Sequence, residues 1–290
     1  MVDRIGVVGA GTMGSGVAQL FAEHGHEVVL VDIAEHALES ARTGIDTSVR
    51  LTPLVRPGTK SRPPQEVLGR IRFTTDLEHL RSADYVFEMV TEDWAVKRPL
   101  YGELDALCRP EVPFGVNTSA IPITRVASAT GRPDRVIGTH FMNPAPLKPT
   151  VEVIRGHHTS DATLAHTRAL LEGAGRRHVV VADSPGFVTN RVAMLTLNEA
   201  MFLVHEGVST PRDVDRLFKE CFGHTMGPLE TADLIGLDTV LLSLQVLHEE
   251  FNDPKYRPCP LLRRLVDAGL LGRKTEQGFH SYGFGEAHHG

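Results

Sequence analysis

Cysteine is scarce in this 290-residue chain. Its three cysteines, Cys108, Cys221 and Cys259, are an odd number set far apart. They offer neither a disulfide framework nor a zinc-ligand pattern, and they fit a reducing cytosol. Also missing is any unbroken run of roughly 18 apolar residues, the length a membrane-spanning helix needs. No secretory leader precedes Arg4. The expectation is a soluble, cytoplasmic protein with no membrane partner. Lysine is rare, with six in all, and arginine carries most of the basic charge. The formal net charge of −6 argues against a dedicated nucleic-acid binder. The histidines, including His157-His158 and His288-His289, lack metal-ligand spacing, so no metal is expected. Internal repeats and low-complexity segments are absent as well. What is abundant is core-forming sequence: 41% of residues are hydrophobic, enough for one large domain or two ordinary ones.

The first organised stretch reads strand, glycine turn, helix, strand, acid. Residues 4–8, RIGVV, are a short β-branched run of the buried-strand kind. The turn Gly9-Ala10-Gly11-Thr12-Met13-Gly14 leads into a segment with Val17, Leu20 and Phe21 at helical spacing, stopped by Gly25. EVVLVD follows and ends on Asp32. Gly9 permits the tight turn, Gly11 lets backbone approach a pyrophosphate, and Gly14 lets the helix pack on the strand. The helix N-terminus offers free N–H groups and partial positive charge to phosphates. The turn from Gly9 through Gly11, Thr12, Met13 and Gly14 is therefore a candidate dinucleotide site. Asp32 is placed to accept from both ribose hydroxyls and to repel a 2′-phosphate, which favours NAD over NADP.

A second helix is expected from about 34 to 50. Prolines 53, 57, 63 and 64 then argue against a long helix. Between residues 50 and 72 lie six basic residues, Arg50, Arg56, Lys60, Arg62, Arg70 and Arg72, against the single acid Glu66. In an acidic protein this is a local positive patch, readable as a solvated loop or as a landing site for something anionic. Further strands are expected at ADYVFEMV, FGVNTS, RVIGTHF, TVEVI and HVVVAD, with helices between most of them. Such alternation implies a mostly parallel, doubly wound sheet whose ligands bind at the carboxyl ends of its strands. Glu92, Ser119 and His140 all fall at such ends.

Residues 138–153, GTHFMNPAPLKPTVEV, hold His140 and the carboxylate Glu152. Pro144, Pro146 and Pro149 forbid a helix between them, so a stiff loop joins two strands and can bring the side chains face to face. Histidine moves protons near neutral pH, and a carboxylate partner would fix its tautomer. The alternative is a strand-capping histidine and a surface glutamate. After Asp183-Ser184-Pro185-Gly186 the pattern becomes helical, which places a domain boundary near 184. Thr210-Pro211 there supplies a cap and an N1 proline. Apolar stretches such as LIGLDTVLLSLQVL exceed the internal needs of a domain of this size and point to a homodimer. Asn190, early in the first helix of the second domain, could present an amide toward the first or simply face solvent.

Taken together, GAGTMG at 9–14, NTSAIPIT at 117–124, GTHFMNPAP at 138–146, VEVI at 151–154, DSPGFVTNR at 183–191, GPLETADLIGLDTV at 227–240 and GRKTEQGF at 272–279 resemble the short-form L-3-hydroxyacyl-CoA dehydrogenase family, which includes the 3-hydroxybutyryl-CoA dehydrogenases. The resemblance covers nearly the whole chain. It implies a Rossmann-type α/β NAD-binding domain at 1–184 and an all-α dimerisation domain at 185–290. It also implies roles: His140 as catalytic base, Glu152 as its orienting carboxylate, Ser119 as the hydroxyl touching substrate and cofactor, and Asn190 as the amide at the reacting oxygen. On the NAD side it implies Asp32, Glu92, Lys97, Asn143 and Lys274 beside the glycines.

Two stretches depart from the family pattern. PAPLKPTVEV displaces a lysine and introduces Pro149 and Thr150, and segment 51–65 is broken by prolines where the family carries a lysine-rich helical arm. The expected activity is NAD-dependent interconversion of a 3-hydroxyacyl and a 3-oxoacyl thioester, on short-chain CoA substrates of fatty acid metabolism. The alternative is the same chemistry on a hydroxyacyl group, such as glyceryl, carried by an acyl carrier protein. A third reading is a non-catalytic NAD-binding protein.

Overall fold

The computed structural model describes residues 4–55, 62–119 and 121–283. The chain divides into two compact units, Met1–Ser184 and Pro185–Gly290. The first is built on one eight-stranded sheet. Its strands are β1 (Arg4–Val8), β2 (Glu27–Val31), β3 (Ile71–Thr74), β4 (Tyr85–Glu88), β5 (Phe114–Val116), β6 (Val136–His140), β7 (Thr150–Arg155) and β8 (Arg177–Ala182). Its helices are α1 (Thr12–Glu23), α2 (Glu35–Val55), α3 (Pro64–Gly69), α4 (Trp94–Leu107), α5 (Ile123–Ala127) and α6 (Asp161–Gly173). Strand order is β3-β2-β1-β4-β5-β6-β7-β8. Every neighbouring pair is parallel except β6 and β7. The order reverses between β1 and β4, the switch point at which Rossmann-type sheets bind their ligands.

The central strands are near-continuous apolar runs because both faces are covered by packed structure. Ile5, Val7, Leu30, Tyr85, Phe87, Phe114 and Ile137 are all fully buried. Phe21 of α1 stacks on Phe87 with centroids 5.0 Å apart, which joins helix to sheet.

Two local expectations are corrected. The second helix does not stop near 50; α2 continues to Val55 with Pro53 inside it. Pro53 falls in the last turn, and beside it the Thr52 hydroxyl donates to the Ser48 carbonyl at 2.8 Å. The proline-rich stretch is also less irregular than expected. Pro64 starts α3 at a position that needs no N–H, and Ile71–Thr74 pair with β2 as an edge strand.

The second unit is helical: α7 (Thr189–His205), α8 (Pro211–Phe222), α9 (Pro228–Ile235), α10 (Leu237–Phe251) and α11 (Pro260–Asp267). The Thr210 hydroxyl accepts from the Asp213 N–H at 3.2 Å, capping α8. Helix α9 adds to those expected. Its core gathers Leu197, Met201, Leu229, Leu244, Leu247 and Tyr256. Much of LIGLDTVLLSLQVL is consumed inside this core, since Leu237, Val240, Leu244 and Leu247 are fully buried. Leu217, Phe222, Leu234 and Leu242 remain exposed.

Two buried carboxylates knit the unit together. Asp215 accepts from the backbone N–H groups of Leu229 and Glu230, and Asp233 from those of Phe279 and His280. The His280 ring also meets Asp215, with Nε2 2.7 Å from Oδ2. That hydrogen bond, aided by the nearby charge of Asp215, Asp233 and Glu230, raises the His280 pKa above 6.5. Stabilisation by the charged ring is therefore complete below 6.5 and lost as pH rises through the folded value. His280→Asn is expected to lower Tm relative to the parent most near pH ~5.5, with the deficit shrinking toward pH ~9. A deficit independent of pH in thermal melts would contradict this.

Candidate active site

The glycine turn has the shape a pyrophosphate needs. Gly9 has φ +103°, and a Cβ there would lie 2.7 Å from the Met89 carbonyl oxygen. A Cβ on Gly14 would sit 1.8 Å from the Gly9 carbonyl oxygen, so only glycine lets α1 start this close to β1. A Cβ on Gly11 would meet nothing within 4 Å: the space above it is open, where an approaching phosphate would lie. Gly11 is the N-cap of α1, and Thr12 is exposed beside it. Met13 is half-buried and packs on the core.

Asp32 follows β2 and is half-buried. One carboxylate oxygen accepts from the Ala10 N–H at 2.7 Å and the other from Ala34 N–H at 3.0 Å. It therefore ties the glycine turn to the chain just past β2. These residues fit a nicotinamide dinucleotide. A cleft of about 510 Å³ adjoins the turn and runs between α1 and α2, lined among others by Gly11, Thr12, Gly16, Ser40 and Asn143.

Antiparallel pairing of β6 with β7 sets the other half of the site. It places His140 directly opposite Glu152. Side chains opposed in this way share one face of the sheet. His140 Nδ1 lies 3.0 Å from Glu152 Oε2, and both residues are buried. A carboxylate at Nδ1 makes that nitrogen the donor and leaves the Nε2 lone pair to act as base. Nε2 lies 3.4 Å from the Ser119 hydroxyl. Ser119 follows β5 and is held from behind: Glu92 Oε1 accepts from the Ser119 N–H at 3.0 Å and from the Thr118 hydroxyl. Glu92, expected beside the cofactor, thus also fixes the serine loop. Asp183 at the end of β8 accepts from Ile123 N–H, Thr124 N–H and the Thr124 hydroxyl, capping α5 from outside its own sequence.

Asn143 is exposed and joined to Pro144 by a cis peptide bond. Lys97, also expected beside the cofactor, is fully buried, and its bonding is internal. Its ammonium donates to both Glu88 carboxylate oxygens at 2.7 and 2.8 Å and to the Asn117 carbonyl at 3.2 Å. In this structure its ammonium braces the ends of β4 and β5. Asn190 lies half-buried in the first turn of α7, and Lys274 pairs with Asp238 within the second unit. Sequence reasoning passed over Glu88, Asn117, Thr118 and Asp183. Glu88 carried a signal, being a charge inside the apolar strand YVFE. Asn117, Thr118 and Asp183 lie within the stretches NTSAIPIT and DSPGFVTNR, but their contacts are visible only in the fold.

Three of the six basic residues of the stretch 50–72 are paired internally, and Arg72 is exposed on β3. Arg50 pairs with Asp46, Arg62 bonds Glu66 and the Glu23 carbonyl, and Arg70 bonds the Gly25 carbonyl. Arg56 and Lys60 lie outside the described residues.

A dinucleotide turn at one strand end and a carboxylate-backed imidazole at another define a nicotinamide-dependent dehydrogenase site. Residues 4–184 match the family described as 3-hydroxyacyl-CoA dehydrogenase, NAD binding domain, and residues 186–282 match 3-hydroxyacyl-CoA dehydrogenase, C-terminal domain. The chain is 46% identical over 279 residues to a probable 3-hydroxybutyryl-CoA dehydrogenase of Deinococcus radiodurans, covering 96% of this chain and 100% of that one. It is 36% identical to the human mitochondrial hydroxyacyl-coenzyme A dehydrogenase, covering 97% and 92%. The crystal structure of (S)-3-hydroxybutyryl-CoA dehydrogenase from Ralstonia eutropha superposes with a TM-score of 0.90 at 40% identity, covering 98% of this chain and all of that one. The chain belongs to the 3-hydroxyacyl-CoA dehydrogenase family, NAD-dependent oxidoreductases acting on CH–OH groups. Among the described residues no helix is long and apolar enough to cross a membrane.

Proposed function

We propose that this protein interconverts a short-chain 3-hydroxyacyl-CoA and its 3-oxoacyl-CoA with NAD, using His140 as the proton-transferring group. The observation that carries the reading is the His140–Glu152 pair, 3.0 Å apart and buried at the strand ends beside Ser119. His140 Nε2 removes the proton from the C3 hydroxyl, and Glu152 stabilises the imidazolium that results. NAD supplies the hydride acceptor when bound. Ser119 holds the reacting oxygen in line with Nε2, a positioning contribution. Asn190 is assigned to the same oxygen by family resemblance alone. In reverse, the imidazolium returns its proton to the carbonyl oxygen. Burial excludes bulk water and strengthens the charge–charge interaction within the pair.

The acyl-CoA reading rests on the relatives named above. For the carrier-protein alternative, Arg50, Arg62 and Arg70 are paired internally, and Arg72 remains exposed on β3. A homodimer is proposed from the apolar side chains left exposed on α8, α9 and α10, and a cytoplasmic location from the resemblance to the bacterial enzymes. The test is NADH formation from (S)-3-hydroxybutyryl-CoA, compared with the same acyl group on a carrier protein and with NADP. Expected is a kcat/KM at least about a hundredfold higher for CoA than for the carrier, and for NAD than for NADP, since unpaired polar or charged groups discriminate that strongly. Absence of NADH formation with either thioester would remove the proposal.

A further inference from the structure

Three strand ends must keep register for the chemistry: β4, leading to Glu92; β5, leading to Ser119; and β6, ending on His140. Beneath them lies a buried polar network. Glu88 is fully buried on β4, and Lys97 and Tyr101 are fully buried on α4. Glu88 accepts from the Lys97 ammonium at 2.7 and 2.8 Å, from the Tyr101 hydroxyl at 2.8 Å and from the Val90 N–H at 2.7 Å. The same ammonium reaches the Asn117 carbonyl at 3.2 Å and, more distantly, the Val90 carbonyl at 3.5 Å. It therefore touches the chain just past β4 and just past β5. Asn117 completes the link. Its N–H donates to the Glu88 carbonyl at 3.1 Å, and its side-chain oxygen accepts from the Phe141 N–H at 3.2 Å. Phe141 is the residue after His140, and Asn117 lies two residues before Ser119.

The β5–β6 ladder runs only as far as Val116↔Gly138. Beyond it β5 has ended while β6 runs on to His140. The Asn117 side chain carries the link further and ties the backbone next to the imidazole to the backbone leading to the serine. We propose that Asn117, locked in place by the buried Glu88–Lys97–Tyr101 network, is a positioning residue that sets the distance between the Ser119 hydroxyl and His140 Nε2. Its side-chain oxygen acts on the Phe141 amide rather than on substrate or cofactor. Misplacing reacting groups by about 1 Å can cost on the order of a hundredfold in rate.

The experiment compares Asn117→Ala with Asn117→Asp, which keeps an oxygen acceptor of the same reach. Asn117→Ala is expected to lower kcat by about 30- to 100-fold with the KM for NAD changed less than about threefold. Its Phe141 amide is expected to exchange hydrogen faster, and the primary deuterium isotope effect on kcat from 3-deuterated substrate to rise, because a misaligned hydride step becomes rate-limiting. Asn117→Asp is expected to restore slow Phe141 exchange and recover at least about a tenth of parental kcat. The exchange and isotope readouts are made on the folded fraction, so loss of folded protein does not mimic the result. The proposal is overturned if Asn117→Ala keeps kcat within about threefold, if its Phe141 amide remains protected, or if Asn117→Asp regains protection without regaining rate.

Discussion

His140→Gln is expected to lower kcat by roughly a thousand- to ten-thousand-fold, the upper range for loss of a general base. Glutamine is close to histidine in size and can donate an amide N–H toward Glu152, so the buried carboxylate need not be abandoned. It cannot accept and hold a proton at the working pH. What the substitution removes is therefore proton transfer, with packing largely spared. The dinucleotide turn lies on other elements, the β1 end and the start of α1, and the Kd for NADH is expected to change less than about threefold. Titration of bound NADH fluorescence reports that number separately from turnover. If His140→Gln kept more than about a tenth of kcat, the imidazole would not be the base. Glu152→Gln serves as companion. It leaves the imidazole in place but takes away the charge that stabilises the imidazolium, so its loss of kcat is expected to be smaller than that of His140→Gln.

The sequence carried the site's ingredients more clearly than the forces that hold them. The glycines were readable because each meets a steric demand: a Cβ on Gly14 would lie 1.8 Å from a carbonyl oxygen. His140 and Glu152 were readable because prolines enforce a loop between two strands. Their direct opposition needed the antiparallel register of β6 and β7, which alternating strand and helix patterns do not reveal. β3 was passed over because four residues in a proline- and arginine-rich setting give too short a period, and its pairing with β2 is what makes it a strand. Lys97 shows the sharper limit. Resemblance implies a place for it on the cofactor side, and the fold adds a second set of partners, Glu88, Asn117 and Val90. Local sequence cannot distinguish a lysine aimed outward from one turned under the sheet end, since α4 presents both kinds of face.

Lys97→Met tests that inward role through stability. A methionine fills similar volume but leaves the Glu88 carboxylate buried without its cation. Breaking one partner of a buried pair costs about 3–5 kcal/mol. The expected result is a loss of that size in urea denaturation at neutral pH. The pH dependence has a definite sign. Burial, opposed chiefly by Lys97, already holds the Glu88 pKa above 4.5. A carboxyl whose folded pKa is raised favours the fold when protonated, and that advantage disappears as pH climbs from the unfolded value through the folded one. Removing the ammonium pushes the carboxyl higher still. The deficit of Lys97→Met relative to the parent is thus expected to be smallest near pH ~5 and to grow toward pH ~8. The double variant Glu88→Gln with Lys97→Met removes both charges, keeps an amide oxygen for the Val90 N–H and presents its NH2 to the Tyr101 hydroxyl, which can turn to accept. It is expected to regain most of the lost stability, as neutral replacements of buried pairs commonly do. It still lacks the donor to the Asn117 carbonyl, so its kcat is expected to stay below the parent's after stability has returned. A single variant with full stability at pH ~8 would mean that Lys97 turns outward in solution and that its charge is available to a ligand after all.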